Sequence, residues 1–293
     1  MQTQTRKPLR AEAVMAIIAA IIALVMGVIT WLSWPYITAE PAPAPTQPVT
    51  QPTTEPTTFP TEPPTEPTEP PELNPYGKLD FQYEGDYLKC LRTETVPGID
   101  VSAFQGEVDW ERVAASGIKF AFVRLGYRGY GKAGTLVEDE YARRNLEGAR
   151  AAGLEVGVYF FSQAVNTEEV KEEVDFMMQI MGDFQPDLPV VFDWEYISDT
   201  ARTANMDRRT LTDCAMEFGR LIEEKGFEPM IYFNPNQSRR LLYLKELEKY
   251  PFWLAFYTDR MTYPYKVDYW QYTCTGRVPG IQGDVDINIR FYD

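Results

Sequence analysis

No histidine occurs among the 293 residues. Triads that use imidazole as a base, Cys–His hydrolases and zinc sites built on His each lose a required part. Cysteine is nearly as scarce: the 3 residues, Cys90, Cys214 and Cys274, are scattered and lack C-x-x-C spacing, which excludes a cysteine zinc cluster. Positive charge is also short, with 28 Lys and Arg against 43 Asp and Glu and a net charge of −15. A phosphate-binding surface needs clustered Lys and Arg, so nucleic acid is not an expected partner. Chemistry is left to Asp, Glu, Tyr, Lys and Arg. A carboxylate enzyme with no cofactor and no metal fits that inventory best.

Charge is missing altogether from residues 13–34, AVMAIIAAIIALVMGVITWLSW. A helix of roughly 20 apolar residues crosses a hydrocarbon core. Arg6, Lys7 and Arg10 precede the run, so the positive-inside rule predicts a cytoplasmic basic tail at 1–12 and a signal anchor at 13–37. Everything beyond is then expected outside the cell membrane, in the cell-wall space. The competing reading is a cleaved signal peptide, whose apolar core spans only about 7–15 residues. Residues 38–75 carry Pro, Thr, Glu and Gln with a ragged TEP repeat and almost nothing apolar to bury, which predicts a disordered, semi-rigid linker. A polar, aromatic lead-in follows at 76–97, and the folded domain is expected to run from 98 to 293.

Within that domain, apolar runs alternate with amphipathic helical patterns. GIDVS (98–102), KFAFVRLGY (119–127), EVGVYFFS (155–162), LPVVFDWE (188–195), PMIYFNP (229–235) and FWLAFY (252–257) read as strands. Helices are expected between the earlier ones, with Asp109 capping the first and Asn166 and Glu169 forming a capping box. Gly117, Gly153 and Gly226 sit where helices should end. After Tyr257 the helical pattern stops, and DYWQYTCTG and VDINIRFYD read as two last strands. Strand–helix alternation predicts an α/β fold, an irregular TIM-like (β/α) barrel with a helix-poor C-terminal third.

The stretch VVFDWEY (190–196) places Asp193 and Glu195 two apart in an apolar, aromatic strand, so both should face one side with Val191. Such a barrel gathers its chemistry at the C-terminal ends of its strands. Asp100 lies near the end of the first strand and Asp286 in the last, which is the first strand's neighbour in a closed barrel. Four acids could therefore meet at one mouth. A lone strand-end Asp more often caps a helix or forms a turn, which is the expected role of Asp284. A close carboxylate pair can instead split into a proton donor and a charge, as glycosidic cleavage needs, or hold Mg²⁺ for phosphoryl chemistry. No glycine-rich phosphate loop or basic cluster accompanies the second reading. Tyr159, Phe161, Tyr232, Trp253, Tyr257, Trp270 and Tyr272 fall in or near strand ends, where flat faces with polar tips suit sugar rings, although core packing is the commoner role for any one of them.

The segments GIDVSAFQGEVDW, FAFVRLGYRGYG, Asp139 to Tyr159, PVVFDWE, WLAFY and DYWQYTCTG…GDVDIN resemble, in order, the family 25 glycoside hydrolases, 1,4-β-N-acetylmuramidases that cut peptidoglycan. The resemblance spans the folded domain. It implies that Glu195 is the proton donor and that Asp193 supports attack by the sugar's own N-acetyl group or acts more directly. Asp100 and Asp286 complete the acidic set, and Gln271 and Arg124 join Tyr159, Phe161, Tyr232 and Tyr257 as candidate substrate-binding residues. Many relatives carry His where this chain has Phe104, which implies altered contacts near the cleft. Cys90 in the lead-in and Cys274 after a strand are a candidate disulfide that would pin the lead-in to the domain, with Cys214 left as a buried helical thiol.

The expected function is thus a membrane-anchored hydrolase of the bond between N-acetylmuramic acid and N-acetylglucosamine. Its partners are peptidoglycan strands and the membrane, and a monomer is expected. The alternatives are a non-hydrolytic peptidoglycan-binding module on the same barrel, or a metal-dependent phosphodiesterase.

Overall fold

A computed structural model describes residues 69–292. The basic tail, the anchor and the linker up to residue 68 lie outside them. Among the described residues no helix is long and apolar enough to cross a membrane.

The chain begins with a hairpin, β1 (Phe81–Glu84) and β2 (Tyr87–Cys90), and continues into β3 (Glu94–Val101). There follow β4 (Phe120–Arg128), a short β5 (Leu136–Glu138), β6 (Glu155–Ser162), β7 (Val190–Trp194), β8 (Pro229–Phe233), β9 (Phe252–Ala255), β10 (Tyr269–Gly276) and β11 (Val285–Tyr292). The large sheet runs β3-β11-β10-β9-β8-β7-β6-β4-β5, and β3 also pairs with β4, so eight strands close into a barrel with β5 appended. Seven of the eight are parallel, while β11 is antiparallel to both neighbours. All eight expected strands are present, although β3 starts inside the lead-in.

Period-2 alternation explains how the barrel fills. Phe120, Phe122, Tyr159, Val191, Met230, Tyr232, Trp253 and Tyr269 point inward and form one buried cluster. Gly98 and Gly157 share that inner face, where a Cβ would come within 2.3 Å and 2.2 Å of the Phe120 and Phe122 rings. The opposite faces of the strands pack against helices Trp110–Ala115, Ala142–Ala151, Thr167–Met181 and Arg208–Glu224. Asp109 caps the first, accepting from Arg112 N at 3.2 Å. Asn166 caps the third, while Glu169 reaches back to Val165 N rather than to the cap's own amide, so the expected capping box closes one residue early.

No helix separates β9, β10 and β11. The lead-in covers that side instead. The Phe81 ring meets Trp270 edge-on at 5.1 Å and Phe291 at 6.1 Å, and Leu88 N donates to the Tyr272 hydroxyl. The hairpin thus supplies the apolar cover that helices give elsewhere.

The expected Cys90–Cys274 disulfide is corrected by this arrangement, because both thiols are free. Cys90 pairs in register with Phe81 and is buried beneath the hairpin, close to Thr95 at the start of β3. Cys274 lies four residues beyond Trp270 on β10, about 13 Å along an extended strand, and is exposed at the other end of the barrel. A disulfide requires Cα atoms within about 7 Å. Cys214 is buried in its helix, as expected.

Residues 69–75, the end of the expected linker, are strapped down. Lys266 N donates to Glu72 O, Asn74 N donates to Pro264 O, and Leu73 bridges Tyr265. This strap shares a recess with Glu228, Pro251 and Asp268, which precede β8, β9 and β10. It therefore lies at the floor of the barrel, opposite the strand C-termini.

Candidate active site

A cleft of about 670 Å³ opens at the C-terminal ends of the parallel strands, and all four candidate acids line it. Asp193 ends the inward face of β7 with Val191, as the two-residue spacing requires, and Glu195 follows where the strand stops. Asp100 on β3 and Asp286 on β11 are register partners, so the closed barrel sets them directly opposite each other, with Cα atoms about 4.5–5.5 Å apart. The six candidate binding residues line the same cleft.

Asp100 is the best supported of the acids. Its Oδ2 accepts from Gln271 Nε2 and from Asn288 Nδ2, each at 2.8 Å. Gln271 in turn accepts from the hydroxyls of Tyr232 and Tyr257 at 3.1 Å each, and Asn288 accepts from the Trp253 indole at 2.8 Å. Two strand-end tyrosines are thereby tied through one amide to a carboxylate. Their phenols are held protonated: burial, then nearby acids (Glu195 for Tyr232, Asp286 for Tyr257), raises both.

Burial raises all four acids, and each other's charge adds to most of them. Asp100 rises to about 6, with its two amide donors pulling the other way. Glu195 rises to about 7, through burial and then Asp100. Asp286 rises to about 8, through burial, then Asp100 and Glu195. Asp193 is held well above the usual carboxylate range by burial, then by Glu195 and Asp100, against the opposing pull of Arg124. Its Oδ1 is buried with no hydrogen-bond partner. The sequence led us to expect the proton on Glu195 and the charge on Asp193. In this structure the surroundings favour the proton on Asp193, because it is the deeper group and one of its oxygens has no donor to stabilise a charge. The two carboxyls are close enough to share that proton.

Among the described residues Arg124 is the one cationic side chain lining the cleft. Asp139 holds it through Nε at 2.8 Å, and Asp139 also accepts from the main-chain amides of Ala103 and Tyr141 at 2.9 Å each. Phe104, in the position where His was expected from the family pattern, sits on a 3-10 turn capped by Ser102. It is 86% exposed at the rim, with the Arg124 guanidinium 5.1 Å from its ring centre. Its contact is a cation over a ring rather than a hydrogen bond.

Sequence reasoning gave no role to Asn288 or Asp139. The first stands in the V-D-x-N segment and the second opens the segment ending at Tyr159, so the signal was present as motif membership without a stated contact. Among the described residues no group of three or more carboxylates or thiols converges as a metal-ligand set.

The profile of glycosyl hydrolases family 25 matches residues 99–281, nearly the whole barrel. Protein YegX of Escherichia coli K12 is 30% identical over 219 residues, covering 69% of this chain and 72% of that protein. Lysozyme M1 of Streptomyces globisporus is 27% identical over 206 residues, covering 67% and 68% respectively. Among solved structures, the lysozyme of Streptomyces coelicolor superposes with a TM-score of 0.55 at 26% identity, over 69% of this chain and 94% of that one. A family 25 glycosyl hydrolase from Bacillus anthracis gives a TM-score of 0.58 at 20% identity, over 69% and 91%, a likeness of fold. With a profile match across its barrel and lysozymes among its relatives, the chain belongs to glycosyl hydrolase family 25 and is a glycoside hydrolase of the muramidase kind.

Proposed function

We propose that this enzyme cleaves the β-1,4 bond between N-acetylmuramic acid and N-acetylglucosamine in peptidoglycan, with Glu195 as general acid and Asp193 as its assisting carboxylate. The observation that carries the reading is the pair itself: two neighbouring carboxyls in the cleft, both raised by burial, one with a buried oxygen that lacks a donor. The N–H of a sugar's 2-acetamido group is the kind of donor that oxygen wants. Once it binds, charge on Asp193 is stabilised and the proton passes to Glu195, which gives it to the departing glycosidic oxygen. Asp193 then orients the acetamido group for attack on the anomeric carbon. Asp100, raised only to about 6, keeps negative charge near the developing oxocarbenium ion, and the tyrosines present ring faces to the glycan.

The charge-free run at 13–34 behind Arg6, Lys7 and Arg10 supports a signal anchor that leaves the barrel outside the membrane. Replacement of Glu195 tests the chemistry. Glu195→Gln is expected to lower release of reducing ends from purified peptidoglycan by roughly 10³-fold or more, with unchanged thermal unfolding. Activity within tenfold of the parent would remove Glu195 from the role of acid.

A further inference from the structure

A buried amide behind the cleft wall serves none of the four acids' side chains. Gln163 follows β6 directly and is fully buried. Its Nε2 donates to the main-chain carbonyl of Ser162 at 2.9 Å and to that of Glu195 at 2.7 Å. Its Oε1 accepts from the Thr203 hydroxyl at 3.0 Å. Carbonyls at one end and a hydroxyl at the other fix which way the amide points. The side chain is thus fully engaged, and one of its bonds grips the backbone of Glu195.

The grip falls where regular structure stops. β7 ends at Trp194 and the next helix begins at Arg208, so Glu195 opens an irregular segment with no ladder to hold it. Arg202 ties the far part of that segment. It donates to the Gln163 carbonyl at 2.9 Å, forks onto both carboxylate oxygens of Glu169, and its main-chain N–H donates to Tyr130 O at 3.1 Å. Tyr130 and Ile197, from the two segments so joined, both line the cleft. Gln163 is where the end of β6, the segment carrying Glu195 and the cleft wall meet.

We infer that Gln163, oriented by Thr203, is a positioning residue for the Glu195 side chain and sets its height against the scissile oxygen. A catalytic group displaced by about 1 Å loses roughly 10²-fold in rate. The inference rests on the reading of Glu195 as the acid.

Leaving-group chemistry separates positioning from mere packing. A glycan departs as a sugar alkoxide and needs the acid's proton, whereas 2,4-dinitrophenolate departs without one. Gln163→Met keeps the volume and removes the amide, and Thr203→Val keeps the shape and removes the hydroxyl. Assayed in the full chain, Gln163→Met should lower kcat on soluble glycan about 10²-fold while KM stays within about threefold. Turnover of a 2,4-dinitrophenyl β-glycoside of N-acetylmuramic acid should change by less than about threefold. Thr203→Val should follow the same pattern, with a loss of about tenfold on glycan. Equal losses on both substrates, or no loss on glycan, overturn the inference. Glu195→Gln on the same two substrates isolates the underlying reading. If it loses glycan and spares the activated glycoside, the acid assignment stands whatever Gln163 does. If it loses both equally, the acid assignment fails and the inference falls with it.

Discussion

Asp193 and Glu195 show how little separation is needed to give like residues unlike surroundings. One faces into the barrel on a strand, and the other stands a step beyond the strand's end at the cleft. Burial raises both, so the pair holds a proton at a pH where free carboxylates have lost theirs. An acid must carry its proton to donate it. The pair works with one proton and one charge, so kcat/KM on soluble glycan should be bell-shaped. It falls tenfold per pH unit well above about 7, where Glu195 gives up the proton. It falls again in acid, where Asp193 is protonated as well. The measured values will belong to the pair rather than to one residue. A profile that stays flat to pH 9 would show that no group near 7 donates the proton.

The parts of the sequence that stated their structure plainly were the elements with long, repeated patterns. Strands such as KFAFVRLGY and EVGVYFFS carry inward and outward side chains in alternation, and the structure keeps it except at a bulge between Arg124 and Gly126. The hairpin did not announce itself: FQYE and YLKC are four residues each, and only Phe81, Leu88 and Cys90 among them are buried. Its meaning depends on Trp270 and Phe291, some two hundred residues later in the chain. The same distance hid Asn288, whose bond to Asp100 exists because β11 returns antiparallel beside β3. Neutral amides look alike in a sequence, and register gives each its task. The hairpin's role as cover predicts that Phe81→Ala lowers unfolding free energy by about 3 kcal/mol through lost burial and a cavity, with kcat unchanged. Urea unfolding and a glycan assay check both halves, and a fall in kcat with intact folding would mean that the hairpin also shapes the cleft.

The whole molecule bears a cost for gathering its acids. Burial lifts Asp286 to about 8, above the carboxylate range of an unfolded chain, about 4. The folded state therefore binds this proton more tightly. That contribution to stability is fully present below about pH 4 and is lost as pH rises through about 8. Asp286→Asn removes the titrating group, so the variant should match its parent near pH 4 and melt a few degrees higher at pH 9. Calorimetry at the two pH values decides it, and an equal shift at both would place the effect in packing rather than charge.

The strap at Glu72–Asn74 lies at the barrel floor, and β11 brings Tyr292 to that floor beside Glu94. The described polypeptide thus enters and leaves by one end while the cleft opens at the other. The barrel can be held from behind, like a tool by its handle, with its working edge turned outward.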